Sequence, residues 1–291
     1  MELRVLRYFL AVAQQRNITK AARELLVSQP TLSKQLADLE SELGVKLFIR
    51  GHRQITLTDE GEYLQARAKE IIQLADQTAT NIQKEQVVTG TLSIGAGESI
   101  GMQRIMEVLS GIIQDYPDVK IRLVSGNADE METALKHGTI DFAVLIAHRS
   151  LDSYHHLQLP ETDRWGLAMQ KDDPLAQKNV IGPADLIGLP LLVSEQALDE
   201  HRFQDWWGNV GKEINIIGTY TLVFNAELMV KQGSAYILTF DNLLNTSNNG
   251  ELTFRPLSPS ISESTNIIWK KNVTQSKVAK LFTQRLLASL D

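Results

Sequence analysis

Apolar residues recur at helical spacing from the first turn of the chain. Leu3, Leu6, Phe9, Leu10, Val12 and Ala13 share one face, which predicts an amphipathic helix. Thr19 is placed to cap a short second helix over 21–26, whose Ala21-Ala22 pair permits close helix approach. Ser28 is placed to cap a third, with Pro30 in its first turn, where a missing N–H costs nothing. Leu32, Leu36, Leu39 and Leu43 then form a stripe, and Gly44 ends the helix. Between 45 and 58 the period shortens. Leu47-Phe48 and Ile55 with Leu57 predict two short strands around the basic turn Arg50-Gly51-His52-Arg53. Thr58 opens a long helix with acids in its first turn. Leu64, Ala68, Ile71, Ala75, Thr78 and Ile82 repeat at heptad spacing over ~27 Å of that helix.

Beyond residue 88 strands and helices alternate. Strand patterns at 92–94, 119–124 and 142–146 enclose helical patterns at 102–116 and 131–136. That βαβαβ order predicts a parallel sheet covered by helices. Further strand patterns fall at 165–169, 191–193, 214–217, 235–239 and 267–269, with helices at 226–230 and 276–290.

A helix, a tight turn and a second amphipathic helix with polar residues near its N-terminus form a helix-turn-helix, whose second helix enters the major groove. Gln29 and Lys34 are then placed for base readout, since Gln pairs with adenine and Lys with guanine. Ser28, Pro30, Thr31 and Ser33 share that polar end. Arg50 and Arg53 on the adjoining wing are placed for phosphate or the minor groove. A lone surface arginine or a leucine stripe is ordinary by itself; the combination is specific.

Charge fits this division. The 291 residues carry a net −6. Residues 1–58 hold nine basic and five acidic side chains, +4, and the remainder twenty against thirty, −10. A basic head on an acidic body suits a polyanion-binding module joined to something that avoids the polyanion. Cysteine is absent, which excludes disulfides, thiolate metal sites and cysteine nucleophiles. Apolar runs are far shorter than a membrane span and no signal-peptide core follows Met1, so a soluble, cytoplasmic protein is expected.

The string Ala21-Ala22-x-x-Leu25-x-x-Ser28-Gln29-Pro30-x-Leu32-Ser33-Lys34-Gln35-Leu36-x-x-Leu39-Glu40-x-x-Leu43-Gly44-x-x-Leu47-Phe48-x-Arg50-x-x-Arg53 resembles the N-terminal signature of LysR-type transcriptional regulators. Leu57-Thr58-x-x-Gly61 fits that family's junction between wing and linker. Lys34 stands where the family often has Arg, which removes fork geometry at that position. The resemblance implies an α-helical winged helix-turn-helix head over 1–58, a linker and dimerisation helix over 59–88, and an α/β, two-lobed effector domain of periplasmic-binding-protein type over 89–291. Lobe I would span about 89–161 and 268–291, and lobe II about 162–267. It further implies pairing of the Leu64, Ala68, Ile71, Ala75 and Ile82 seam with a second copy. The plainer alternative packs that stripe on its own domain. Implied partners are double-stranded operator DNA with dyad symmetry, a small-molecule effector, RNA polymerase, and further copies in a homodimer or homotetramer.

Ligands of such a domain bind beyond the carboxyl ends of its strands. Ser99 and Ile100, Asn127 and His148 follow the first three strands; Ser194, Asn225 and Thr239 take corresponding places in the second lobe. Ser99 and Asn225 can sit at helix N-termini, which favour anions, so a carboxylate is the expected effector. Gly97-Glu98-Ser99-Ile100-Gly101 is also a G-x-S-x-G string, which raises a Ser99 hydrolase as an alternative. No oxyanion-loop segment and no evident partner histidine accompany it, so no catalytic residue is expected. The six histidines form no metal motif, and neither metal nor cofactor is expected. A third alternative keeps the DNA-binding head and uses the second domain, without ligand, for oligomerisation only.

Overall fold

A computed structural model describes residues 1–50, 55–82, 88–146, 150–247 and 250–290. Contacts divide the chain into two units, Met1–Glu85 and Gln86–Asp291.

In the first unit, α1 (Leu3–Gln15) buries Val5, Leu6, Phe9 and Val12. The helix α2 (Ile18–Glu24) starts earlier than expected: Asn17, not Thr19, caps it, its side chain accepting from the Lys20 amide. Helix α3 (Gln29–Leu43) is capped by Ser28 and stopped by Gly44 in the left-handed region, as the sequence suggests. Its stripe departs at one position. Leu43 is exposed, and the buried residue of that last turn is Glu40. Strands β1 (Phe48–Arg50) and β2 (Ile55–Leu57) pair antiparallel, Phe48 opposite Leu57. The 24-residue α4 (Asp59–Ile82) follows. Leu64 and Ala68 are buried in the same core as Phe9, Leu36 and Leu47. That corrects the expected seam: its first two positions are spent within the domain, because α4 packs on α1. Ala75 is half-buried and Thr78 exposed. The side chain of Ile82 lies outside the described residues.

The second unit begins with β3 (Gly90–Ala96), α5 (Met102–Asp115), β4 (Val119–Ser125), α6 (Ala128–His137), β5 (Phe142–Ile146) and β6 (Tyr154–Gln170). There follow β7 (Pro190–Ser194), α7 (Glu195–Asp199), α8 (Gln204–Trp207), β8 (Asn215–Tyr220), α9 (Val223–Lys231), β9 (Tyr236–Phe240), β10 (Leu252–Pro256), β11 (Ser262–Lys270) and α10 (Lys277–Ala288). The strand order is β4-β3-β5-β11-β6-β9-β7-β8, with β10 also on β6. β3 lies parallel to β4 and β5, and β7 lies parallel to β8 and β9. These two parallel groups are joined through β6 and β11, an antiparallel pair. The expected strand at 165–169 is the end of the 17-residue β6.

Two lobes result, each with its own core. Phe142 and Phe282 meet edge to face at 4.9 Å in the first. Trp165 and Phe203 do the same at 4.9 Å in the second. Such aromatic pairs add to the burial that holds each lobe. Among the described residues no helix is long and apolar enough to cross a membrane.

Candidate DNA-binding face and ligand cleft

The buried side of α3 fixes what its other side presents. With Leu32, Leu36 and Leu39 inward, Gln29, Pro30, Thr31 and Lys34 are exposed and Ser33 is half-buried. Ser28 accepts from the Thr31 amide at 3.3 Å, and the Ser28 and Thr31 hydroxyls pair at 2.7 Å. Gln29 donates to Ser33 at 2.9 Å, so its carboxamide is held along the helix. The polar residues singled out in this helix therefore share one accessible end. Arg50 ends β1, but its side chain, and Arg53 entirely, lie outside the described residues.

Glu40 anchors the entry to the wing. Its carboxylate accepts from the Leu47 amide at 2.8 Å, the Phe48 amide at 3.3 Å and Lys46 Nζ at 2.9 Å. Burial pushes its pKa up, but Lys46 and the two amides outweigh that and hold it below the ordinary carboxylate range. The turn into α3 carries Leu26, 92% exposed at a φ of 54°.

In the second unit a cleft opens between the lobes, with about 720 Å3 of unfilled space, mouth included. Asn127, Ser194 and Thr239 line it, brought together from α6, β7 and β9. Ile146, Trp165, Phe240 and Leu243 supply apolar wall. Thr239 is buried, with its hydroxyl beside that of Tyr220. The Tyr220 hydroxyl beside it donates to the Leu238 carbonyl at 2.7 Å, and burial pushes that phenol's pKa far up.

Three expected residues stand elsewhere. Ser99 is buried and turned inward: its hydroxyl donates to Asp163 at 2.6 Å, pairs with Thr265 at 2.8 Å and accepts from the Gly101 amide at 3.0 Å. Ile100 gives its amide to the other oxygen of Asp163 at 2.9 Å and does not line the cleft. Asn225 is the third residue of α9, exposed beside a separate groove. His148 lies outside the described residues. Among the described residues the Ser99 hydroxyl is bonded to Asp163, Thr265 and the Gly101 amide and to no histidine.

Residues outside the expected effector set carry the cleft's polar architecture. Glu98 accepts from the Val223 amide at 2.6 Å, and burial raises its pKa although that amide acts the other way. Gln196 accepts from the Ala128 amide at 3.1 Å and donates to the Ile146 carbonyl at 2.9 Å. Arg202 is paired with Glu263, which also takes the Trp165 indole N–H at 2.9 Å. The signal for Glu98 was the same strand-end rule that selected its neighbour Ser99. Among the described residues no cluster could hold a metal ion.

A basic helix-turn-helix head followed by a cleft between two lobes defines a ligand-responsive regulator of transcription. Residues 3–62 match the family model of the bacterial regulatory helix-turn-helix protein, lysR family, and residues 85–291 match the LysR substrate binding domain. The chain belongs to the LysR family of transcriptional regulators. It is 30% identical over 282 residues to the Hca operon transcriptional activator HcaR of Escherichia coli (strain K12), covering 93% of this chain and 92% of that one. It is 36% identical over 141 residues to the HTH-type transcriptional regulator BenM of Acinetobacter baylyi, covering 48% and 46%. The structure of full-length CbnR complexed with its target DNA superposes with a TM-score of 0.77 at 22% identity over 99% of this chain and 100% of that one, which shows a common fold.

Proposed function

We propose that the chain reads an operator of dyad symmetry through Ser28, Gln29, Pro30, Thr31, Ser33 and Lys34, with Arg50 and Arg53 gripping the backbone. The observation that carries this is the exposed polar end of α3, set opposite the buried Leu32, Leu36 and Leu39. The protein works in the cytoplasm as a homodimer or homotetramer and contacts RNA polymerase from its operator. Tyr63, Ile71 and Leu74 leave α4 with exposed apolar side chains that suit pairing with a second copy.

A small effector binds between the lobes against Asn127, Ser194 and Thr239, with the buried Thr239 hydroxyl fixing its polar end. The walls fit a partly apolar molecule. The carboxylate expected from helix N-termini meets competition: those of α6 and α9 already hold Gln196 and Glu98, and the cationic Arg202 is paired with Glu263. A carboxylate would have to displace one of these groups.

The test is fluorescence anisotropy of the full chain on DNA upstream of its own gene, with a thermal-shift screen of metabolites in parallel. Tight, sequence-selective binding and a metabolite that raises the melting temperature of the second unit are expected. Binding that is equally tight on scrambled DNA overturns the operator reading. A full metabolite screen without a shift favours the ligand-free oligomerisation lobe instead.

A further inference from the structure

Away from the connecting strands β6 and β11, the side chains of Glu98 and Gln196 carry hydrogen bonds from one lobe to the other. Glu98 lies on the turn after β3 in the first lobe, and its carboxylate accepts from Val223 N, the first amide of α9 in the second. That helix has no cap of its own. Leu222 occupies its N-cap position and offers no side-chain oxygen. The orphan donors of a helix start need an acceptor, and an anion is the best one. Here the anion comes from the opposite lobe. Gln196, one residue into α7 of the second lobe, works in the reverse direction. Its oxygen takes the Ala128 amide at the start of α6, and its nitrogen serves the Ile146 carbonyl at the end of β5 and Glu200 in its own lobe. Beside these bonds the Ile146 side chain packs against the core of the second lobe.

We propose that Glu98 and Gln196 form a clasp across the cleft, built from the chain's own side chains, that holds the two lobes together and must release for them to separate. Each clasp residue serves a helix start in the other lobe, so separating the lobes frees the Val223 amide of α9 and the Ala128 amide of α6 at once, while Asn127 still caps α6. Its role in ligand entry rests on the reading of this cleft as the effector site.

The chain has no cysteine, so spin labels can be placed without background. Gln114→Cys on α5 and Lys212→Cys in the second lobe are both at exposed positions. In the full chain the labels are expected to give one narrow distance. Adding Glu98→Ala and Gln196→Ala is expected to lengthen and broaden it, with the Val223 and Ala128 amides exchanging about tenfold faster or more. Should that variant fail to fold, Glu98→Gln keeps an acceptor oxygen and drops the charge, and it is expected to speed exchange at Val223 by a smaller factor. Faster exchange without any change in the label distance overturns the clasp, since Glu98 would then only cap α9. Unchanged exchange in either variant overturns it as well. The measurement uses no effector, so its failure leaves the effector reading standing, and a fruitless metabolite screen leaves the clasp standing.

Discussion

Replacing Glu40 with Ala should loosen the DNA-binding head from its wing inward. Glu40 is 6% exposed and holds two backbone donors that have no replacement nearby. The Leu47 amide is buried, and the Phe48 bond is longer and partly buried. Leaving a buried amide unsatisfied costs about 1–3 kcal/mol, and the second bond adds less, so the expected loss is about 2–4 kcal/mol. The Lys46 pair contributes little, since that lysine side chain is 78% exposed. Glu40→Gln keeps an acceptor and should lose about 1 kcal/mol. The pH dependence has a fixed sign. Because the folded pKa is lowered, the carboxylate stabilises the head above its ordinary value of 4.5, and that contribution is lost as pH falls below 4.5 toward the folded value. Glu40→Gln should erase this part of the acid sensitivity. All four tryptophans, at 165, 206, 207 and 269, lie in the second unit, so fluorescence follows that unit and not the head. Amide exchange in α1 and α3 is the assay that sees the head. Glu40→Ala should speed it by roughly 30- to 700-fold, each 1.4 kcal/mol being tenfold. The tryptophan transition should stay in place. Exchange in the head at the wild-type rate would refute the reasoning.

On DNA, Gln29→Ala should cost ~1–3 kcal/mol on the operator and little on scrambled DNA, whereas Arg53→Ala should weaken both alike and flatten the salt slope by about one unit; equal loss of selectivity from both would sink the assignment. In α4, Ile71→Asp should dissociate the oligomer and leave the head folded, while Ala68→Asp should unfold the head, because only Ala68 is in its core. Light scattering with amide exchange separates the two, and an intact oligomer with Ile71→Asp counts against the α4 face. Leu26→Asn should stabilise the head by about 0.5–1 kcal/mol, since Asn tolerates the left-handed backbone there and Leu26 contributes no burial. A melting temperature of the head that falls would show a contact made by Leu26 that the fold does not reveal.

The readable parts of the sequence were those decided within one turn of chain. Ser28, Pro30 and Gly44 set the limits of α3 by local chemistry, and the structure follows them. Asn17 displaced Thr19 as a cap because both residue types cap well and the docking of α2 decided between them. The heptad in α4 was visible, but periodicity says only that a stripe is buried, not against what; α1 of the same chain took Leu64 and Ala68. The long β6 was hidden because the polar stretch from Pro160 to Arg164 interrupts the apolar alternation that Leu157 and Leu159 begin and Trp165, Leu167 and Met169 resume. In the cleft the strand-end rule located backbone and not side-chain direction. It found Thr239 and Asn127, yet Asn225 failed because α9 begins three residues earlier than its pattern suggests. The cap that permits this, Glu98, lies 125 residues away.

Ser99 and Glu98 show why direction matters more than position at such a turn. The two are adjacent, and their side chains are committed to opposite sides of it. Ser99 is tied to Asp163 on β6 and Thr265 on β11, the two strands that run between the lobes, and Asp163 also takes the Ile100 amide. All of these groups are buried except the half-buried Ile100, so breaking the set would strand polar atoms in the interior at about 1–3 kcal/mol each. Glu98 is half-buried at the cleft, and water can take over the bond to Val223 if it opens. Released donors and acceptors that reach water lose far less than buried ones. The inward bonds of the turn are therefore the strong ones and the outward bond is the weak one. Any separation of the lobes must leave Ser99 with the connecting strands and break first at Glu98.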